Sequence, residues 1–402
     1  MAVEISCPKC SKEFNVVNAF PGSKIDCPEC KCIIIVDLDI KYSRTKNTIE
    51  AVKASLPEQK TSLYNQAVNH LETWLDVSSE HIKSALNLID ENKAYEVWKI
   101  PKNGNFSFRE ITSPCKVLKL IQRRILDRLL YRIPVSNASH GFVPGRSIVT
   151  NAEFHLKTAA AILNLDLKDA FPSVNKQRVK HLYVRYLKIP LKHLGENISH
   201  EALDKVIDFL VKLTVHNDQL PQGSPCSGYL LNVACITLDK TIYSMLRQEG
   251  LSYRYTRYAD DITISQPNTI TKDFQERVKQ IILNAGFKVN PQKIKYTVRS
   301  KGQKLEVTGL ILEKGKVRIS AEKLDTFRAI IHQATNIESE NLTPEKRLEI
   351  QSIVAFVKMV YKKIPHRIWK PYRIYMDKHG LKYPVKSTKS FLDLYPNSFS
   401  HQ

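Results

Sequence analysis

Two stretches of strand-like sequence end in carboxylates, and that placement narrows what this 402-residue chain can fold into. Ala159 to Leu167 is a nearly continuous apolar run, the pattern of a strand buried on both faces, and it delivers Asp166 and Asp169 at its end. Tyr253 to Ser265 alternates on either side of Tyr258-Ala-Asp-Asp261, which reads as a β-hairpin with an acidic tip. An isolated Asp-Asp is a plain turn about half the time; inside alternating strand that reading recedes. Neighbouring carboxylates in apolar surroundings repel one another and resist desolvation, so they need a cation. Hard oxygen ligands favour Mg2+. Two such ions, about 3.5–4 Å apart, would satisfy Asp166, Asp260 and Asp261 while activating a 3′-hydroxyl and stabilising a leaving pyrophosphate.

The cysteines point to a second metal. Five of the eight fall within the first 32 residues. Cys7-Pro-Lys-Cys10 and Cys27-Pro-Glu-Cys30 form two C-x-x-C knuckles, each turning two thiolates toward one ion, and together they complete a tetrahedral Zn2+ site. A segment this short cannot build its own core, so one structural zinc must stabilise it. Cys32 could replace Cys30 in a C-x4-C arrangement; symmetry with the first knuckle favours Cys30. Phe14, Val16 and Val17, with Ile33 to Val36, supply the strands of a zinc ribbon.

Composition sets the partner class. Lys and Arg number 61 against 40 Asp and Glu, a formal net charge of +21, which points first to nucleic acid. No apolar run reaches the roughly 18 residues of a membrane span. The first ten residues lack the layout of a secretion signal, so a cytoplasmic protein with no membrane partner is expected. Between the acidic motifs the pattern predicts helices near 61–92, around Leu118 to Ile133, around Leu203 to Leu213, from Tyr229 to Leu246 and from Lys272 to Ala285. A short β pattern covers Asn105 to Ile111. A second hairpin is predicted from Leu305 to Leu312 and Lys316 to Ile319. Two helices then close the chain, one from Ser320 and one with Thr343-Pro344 as N-cap and first residue.

Arg257-Tyr-Ala-Asp-Asp-Ile262, Asp166-Leu-Lys-Asp-Ala-Phe171 and Leu220-Pro-Gln-Gly-Ser-Pro225, in this order and spacing, resemble the motifs of reverse transcriptases. The resemblance implies an α/β (α+β) right-hand polymerase fold with fingers, palm and thumb. The domains would be a zinc ribbon at 1–38, a linker and N-terminal helices at 39–94, fingers and palm at 95–319, and a thumb with a basic C-terminal region at 320–402. By the same resemblance Asp166, Asp260 and Asp261 are the catalytic metal ligands, and Phe171 is the aromatic gate that excludes a ribose 2′-hydroxyl. Arg109 holds the incoming triphosphate, Asp169 touches it through backbone, Gln222 and Gly223 shape the nucleotide pocket, and Lys293 matches the lysine after the fourth motif.

Two further segments resemble the bacterial retron enzymes. One is His140-Gly-Phe-Val-Pro-Gly-Arg-Ser-Ile-Val-Thr-Asn-Ala-Glu-Phe-His155, with Asn151 and His155 at its core; the other is Val307-Thr308-Gly309. The likeness implies that these residues recognise RNA. It also implies a cognate non-coding RNA as template and primer, deoxynucleotides as substrates, and a branched RNA-linked single-stranded DNA (msDNA) as product. A role in antiphage defence with an effector protein comes with it. From residue 351 onward ten Lys and Arg stand against two Asp and Glu, interleaved with Tyr361, Trp369, Tyr372, Tyr375 and Tyr383. Bases can neutralise phosphates and aromatics can stack on unpaired bases, although about half of these rings should pack the thumb. The alternatives are another bacterial reverse transcriptase, of abortive-infection or group II intron type, or a non-catalytic RNA-binding scaffold. Only about 80 residues follow Ile319, short for a maturase or nuclease domain, and three intact aspartates argue against a scaffold.

Overall fold

The computed structural model describes residues 2–7, 10, 12–17, 24–30, 33–35, 63–101, 108–194, 198–250 and 252–381. Cys32, the linker expected from Asp39 to Lys60, the start of the Asn105 β pattern and Tyr383 lie outside them. The chain divides into two compact units, one from residues up to 147 with 160–296, the other from 148–159 with 297 onward.

In the first unit, Ala2–Ser6 pairs with Glu13–Val17 and Lys24–Asp26 with Ile33–Ile35, both antiparallel, so each strand expected for the ribbon gains a hairpin partner that the sequence had not marked. The helical region near 61–92 is two helices, Leu63–Leu75 and Ser79–Asp90. Asp76 breaks them with a left-handed φ of 54°, and Ser78 caps the second by accepting from the His81 amide. The first helix buries Ala67, Val68, Leu71 and Leu75 and packs on His200–Thr214, where Tyr64 meets Phe209 edge-on at 5.2 Å. At roughly 1.5–3 kcal/mol per fully buried large aliphatic side chain, this apolar face fixes the pair.

The sheet that positions the acidic residues runs in the order Lys288–Val289, Ala161–Lys168, Asp261–Gln266, Arg254–Tyr258, with every one of these neighbours antiparallel. The apolar run becomes its central strand, buried at all but two of eight positions, and the alternating segment becomes the hairpin beside it. Phe108–Pro114 pairs with Tyr95–Pro101, a strand sequence reasoning missed because six of its seven residues are exposed and leave no apolar alternation. The helix expected from Tyr229 to Leu246 is instead Ser227–Ala234 and Ile236–Gln248. At the break, the Cys235 amide is shared between the Leu231 and Asn232 carbonyls, a local tightening of the backbone.

In the second unit, the strand expected from Leu305 to Leu312 is broken. Glu306–Val307 turns back on Leu310–Glu313, which pairs in turn with Lys316–Arg318. The two residues of the first turn, Thr308 and Gly309, have φ of 45° and 78°, the left-handed pair of a type I′ hairpin. Ile148–Glu153 packs on all three strands. Three helices follow rather than two: Ala321–Thr335, Pro344–Val360 and His366–Lys378. Ser320 and Thr343 cap the first two as their sequences predict. The third, carrying Pro371 inside it, lacks a clean breaker-free pattern and so escaped notice.

Candidate active site and metal centre

Asp166 and Asp261 face each other across adjacent strands, the last register pair of the antiparallel ladder. Asp260 precedes Asp261 in the tight turn that joins Tyr258 to Asp261, and its carbonyl accepts from the Leu167 amide at 2.9 Å. The structure therefore brings the three predicted carboxylates to one sheet end. Asp166 is 6% exposed. The Asp261 carboxyl is pushed up to about 6, by desolvation first and then by the nearby charges of Asp260 and Asp166, with Lys293 opposing. This is the electrostatic state of a site built for cations. The Lys293 ammonium lies against this cluster, with Nζ 2.6 Å from Asp166 Oδ1, and its own pKa is raised chiefly by that hydrogen bond. An all-carboxylate donor set suits a hard divalent ion such as Mg2+.

The turn is held from below. Ala259 takes a left-handed φ of 56°, costly for a residue with a side chain, and Arg257 Nη1 donates to its carbonyl at 2.9 Å. Arg257 is fully buried, paired with Asp239 and donating also to Asn232 and Ser139. Asp239 accepts in addition from the Tyr255 hydroxyl at 2.6 Å. Sequence reasoning placed Arg257 within a motif and missed this role; an arginine amid strand residues was the available signal, since a buried charge needs a partner.

A cleft of about 450 Å³ opens in front of the aspartates, lined among others by Phe108, Thr112, Asp169, Phe171, Gln222 and Lys293. Glu110 also lines it, a residue no motif had marked. The Leu220–Pro225 turn is pinned to the neighbouring hairpin, because the Thr112 amide donates to the Gln222 carbonyl at 2.7 Å. Gly223 is obligatory there: its φ is 138°, and a Cβ would stand 2.6 Å from the Thr112 carbonyl oxygen. Asp169 has a φ of 48°, and its carbonyl accepts from both the amide and the hydroxyl of Ser173. Arg109 lies on the strand Phe108–Pro114 with its backbone opposite Ile100.

The two remaining signatures meet in the second unit. Asn151 Nδ2 lies 3.3 Å from Thr308 Oγ1, and both Asn151 and His155 are fully buried. Asn151 thus reaches the Thr308-Gly309 turn, whereas the His155 backbone carbonyl accepts from the Ala159 amide at 3.1 Å. Of the C-terminal aromatics, Tyr372 and Tyr375 are core residues, and the Tyr361 hydroxyl accepts from the Ile319 amide.

At the N-terminus Cys7, Cys10, Cys27 and Cys30 bring their sulfurs within 4.8 Å of one another. Cys7 to Cys30 and Cys10 to Cys27 each measure 3.6 Å. A tetrahedron with Zn–S bonds of about 2.3 Å has edges of about 3.8 Å, so the cluster fits one zinc ion.

The family described as reverse transcriptase (RNA-dependent DNA polymerase) matches residues 100–330. The retron Mx162 reverse transcriptase of Myxococcus xanthus is 37% identical over 61% of this chain and 53% of its own length. The retron Ec86 reverse transcriptase of Escherichia coli is 32% identical over 59% of this chain and 69% of its own. The match thus spans about half the length of the Mx162 relative. A solved apo telomerase from Candida tropicalis aligns over 71% of this chain and 58% of its own at 16% identity and a TM-score of 0.42, too slight a likeness to bear on the site. No helix among the described residues is long and apolar enough to cross a membrane.

Proposed function

This chain belongs to the reverse transcriptases, among the retron enzymes, and from that footing we propose that it copies part of a partner non-coding RNA into DNA that stays joined to the RNA as a branched molecule. The observation that carries the reading is the convergence of Asp166, Asp260 and Asp261 at one sheet end beside a nucleotide-sized cleft. Synthesis starts from an internal guanosine 2′-hydroxyl and continues from successive 3′-hydroxyls. In each step the hydroxyl loses its proton to water, its oxygen bonds to the α-phosphorus of a deoxynucleoside triphosphate, the bond to the bridging oxygen breaks, and pyrophosphate leaves.

Asp166, Asp260 and Asp261 would hold two Mg2+ ions, which would supply Lewis acidity to the transfer when bound. The chain's own residues do the rest. Phe171 closes the space where a 2′-hydroxyl would sit. Gln222 and Gly223 set the pocket floor against Thr112, and Asp169 presents backbone to the triphosphate, with Arg109 its cationic partner. Lys293 exchanges its contact with Asp166 for the phosphates. Cys7, Cys10, Cys27 and Cys30 bind one structural Zn2+, and the ribbon they hold contacts either the RNA or an effector protein acting with the enzyme in antiphage defence.

The test is to purify the protein from its native gene neighbourhood and sequence the nucleic acid that accompanies it. A short DNA joined 2′–5′ to a structured RNA is the expected species. A linear product, or none, would move the protein to another class of reverse transcriptase.

A further inference from the structure

Resting on the polymerase reading, we propose that Phe142 is a positioning residue for the sugar subsite: it braces Phe171 and thereby sets discrimination against ribonucleotides. Phe142 has a φ of 58°, a conformation rare for any side chain and an outlier for a bulky one. It is also 52% exposed, so burial does not repay the strain. Such strain persists only where the surrounding contacts fix it.

Two neighbours show what fixes it. The ring sits over Gly228 in the buried helix Ser227–Ala234, where a Cβ would come within 2.3 Å of Phe142 Cγ and 2.6 Å of both Cδ atoms. Any side chain at Gly228, in the first turn of that helix, would collide with the ring, so glycine there leaves the ring its room. On its other side the ring meets Phe171 edge-to-face, centroids 6.4 Å apart and planes at 84°. Such pairs have directional preference beyond simple burial. Phe171 lines the cleft with Asp166, whereas Phe142 is outside the lining and reaches it through Phe171.

The backbone around Phe142 is tied to the network that holds the catalytic turn. The Gly141 carbonyl accepts from Asn232 Nδ2 at 2.7 Å, and Asn232 Oδ1 accepts from Arg257. The His140 amide donates to the Arg257 carbonyl at 2.7 Å. Arg146 closes the loop from its far side, with Nη1 donating to the Ser136 and Asn137 carbonyls. Phe142 therefore has a fixed base, a seat on Gly228 and an edge-to-face contact with Phe171.

The experiment measures the ratio of kcat/KM for a deoxynucleotide to that for its ribonucleotide, on a primed RNA template, for the full chain and its variants. Phe171→Ala is expected to collapse the ratio, and Phe142→Ala to lower it about two- to tenfold while dNTP incorporation stays within about twofold. Phe142→Tyr keeps the ring and should keep the ratio. Gly228→Ala should reproduce the Phe142→Ala ratio, by displacing the ring, and should have no further effect in a Phe142→Ala background. A wild type that adds no deoxynucleotide overturns the polymerase reading and this proposal with it. A wild type that discriminates, with Phe142→Ala and Gly228→Ala discriminating equally well, overturns the proposal alone.

Discussion

Arg257 and Asp239 form an ion pair in which neither side chain reaches solvent, with Nη2 2.9 Å from Oδ2. Their remaining hydrogen bonds go to Ser139, Asn232, Tyr255 and the Ala259 carbonyl, so the pair is satisfied and tied to the turn bearing Asp260. Removing one partner leaves a buried, uncompensated charge. Asp239→Ala should therefore cost about 3–5 kcal/mol in urea denaturation. Pairing it with Arg257→Leu should recover much of that loss, since an apolar replacement of both ions is tolerated. DNA synthesis should not recover, because Ala259 then loses its donor. Full recovery of both would mean the pair is scaffolding without influence on the turn.

The cysteine cluster makes its own prediction. Metal analysis should find about one zinc per chain, lost on Cys7→Ser or Cys27→Ser and retained on Cys32→Ser. Retention in the first two variants would place the ligands elsewhere.

The parts of this fold readable from sequence are those where chemistry restricts residue type. Three carboxylates on apolar strands, doubled C-x-x-C knuckles and the Thr343-Pro344 helix start all announced themselves, because few other residues meet those demands. What escaped was set by tertiary contact. The exposed strand Tyr95–Pro101 has no alternation to read. The turn at Thr308-Gly309 looked like strand because Val307 and Leu310 on either side are both buried. The support from Asp239 to Arg257 spans 18 residues and two elements, and only the folded chain brings it together.

Asn151 and Thr308 offer a test of that turn. A β-branched residue at positive φ is strained, and Asn151 tethers the Thr308 side chain. Thr308→Gly removes the strain outright. It should stabilise an Asn151→Ala background about 1 kcal/mol more than it stabilises wild type, read by a double-mutant cycle in denaturant. Additive effects would show that the contact carries no weight.

His140 is buried and uncharged at neutral pH; its pKa is lowered from 6.5 to about 4 by desolvation first and the Arg146 charge second. The unfolded chain binds this proton near pH 6.5 while the folded chain resists it to about 4, so stability falls as pH drops through that window. His140→Gln should flatten the decline between pH 6.5 and 4 in thermal denaturation. An unchanged slope would assign it to other groups.

The most direct test of the central claim is template-directed DNA synthesis, with Mg2+ and deoxynucleotides, by wild type and by Asp260→Asn with Asp261→Asn. The exchange preserves size and removes the charges that hold the metal. The account predicts that synthesis falls by at least ~10²-fold while RNA binding persists. Synthesis near the wild-type level would contradict it, and the three aspartates would not be the catalytic centre.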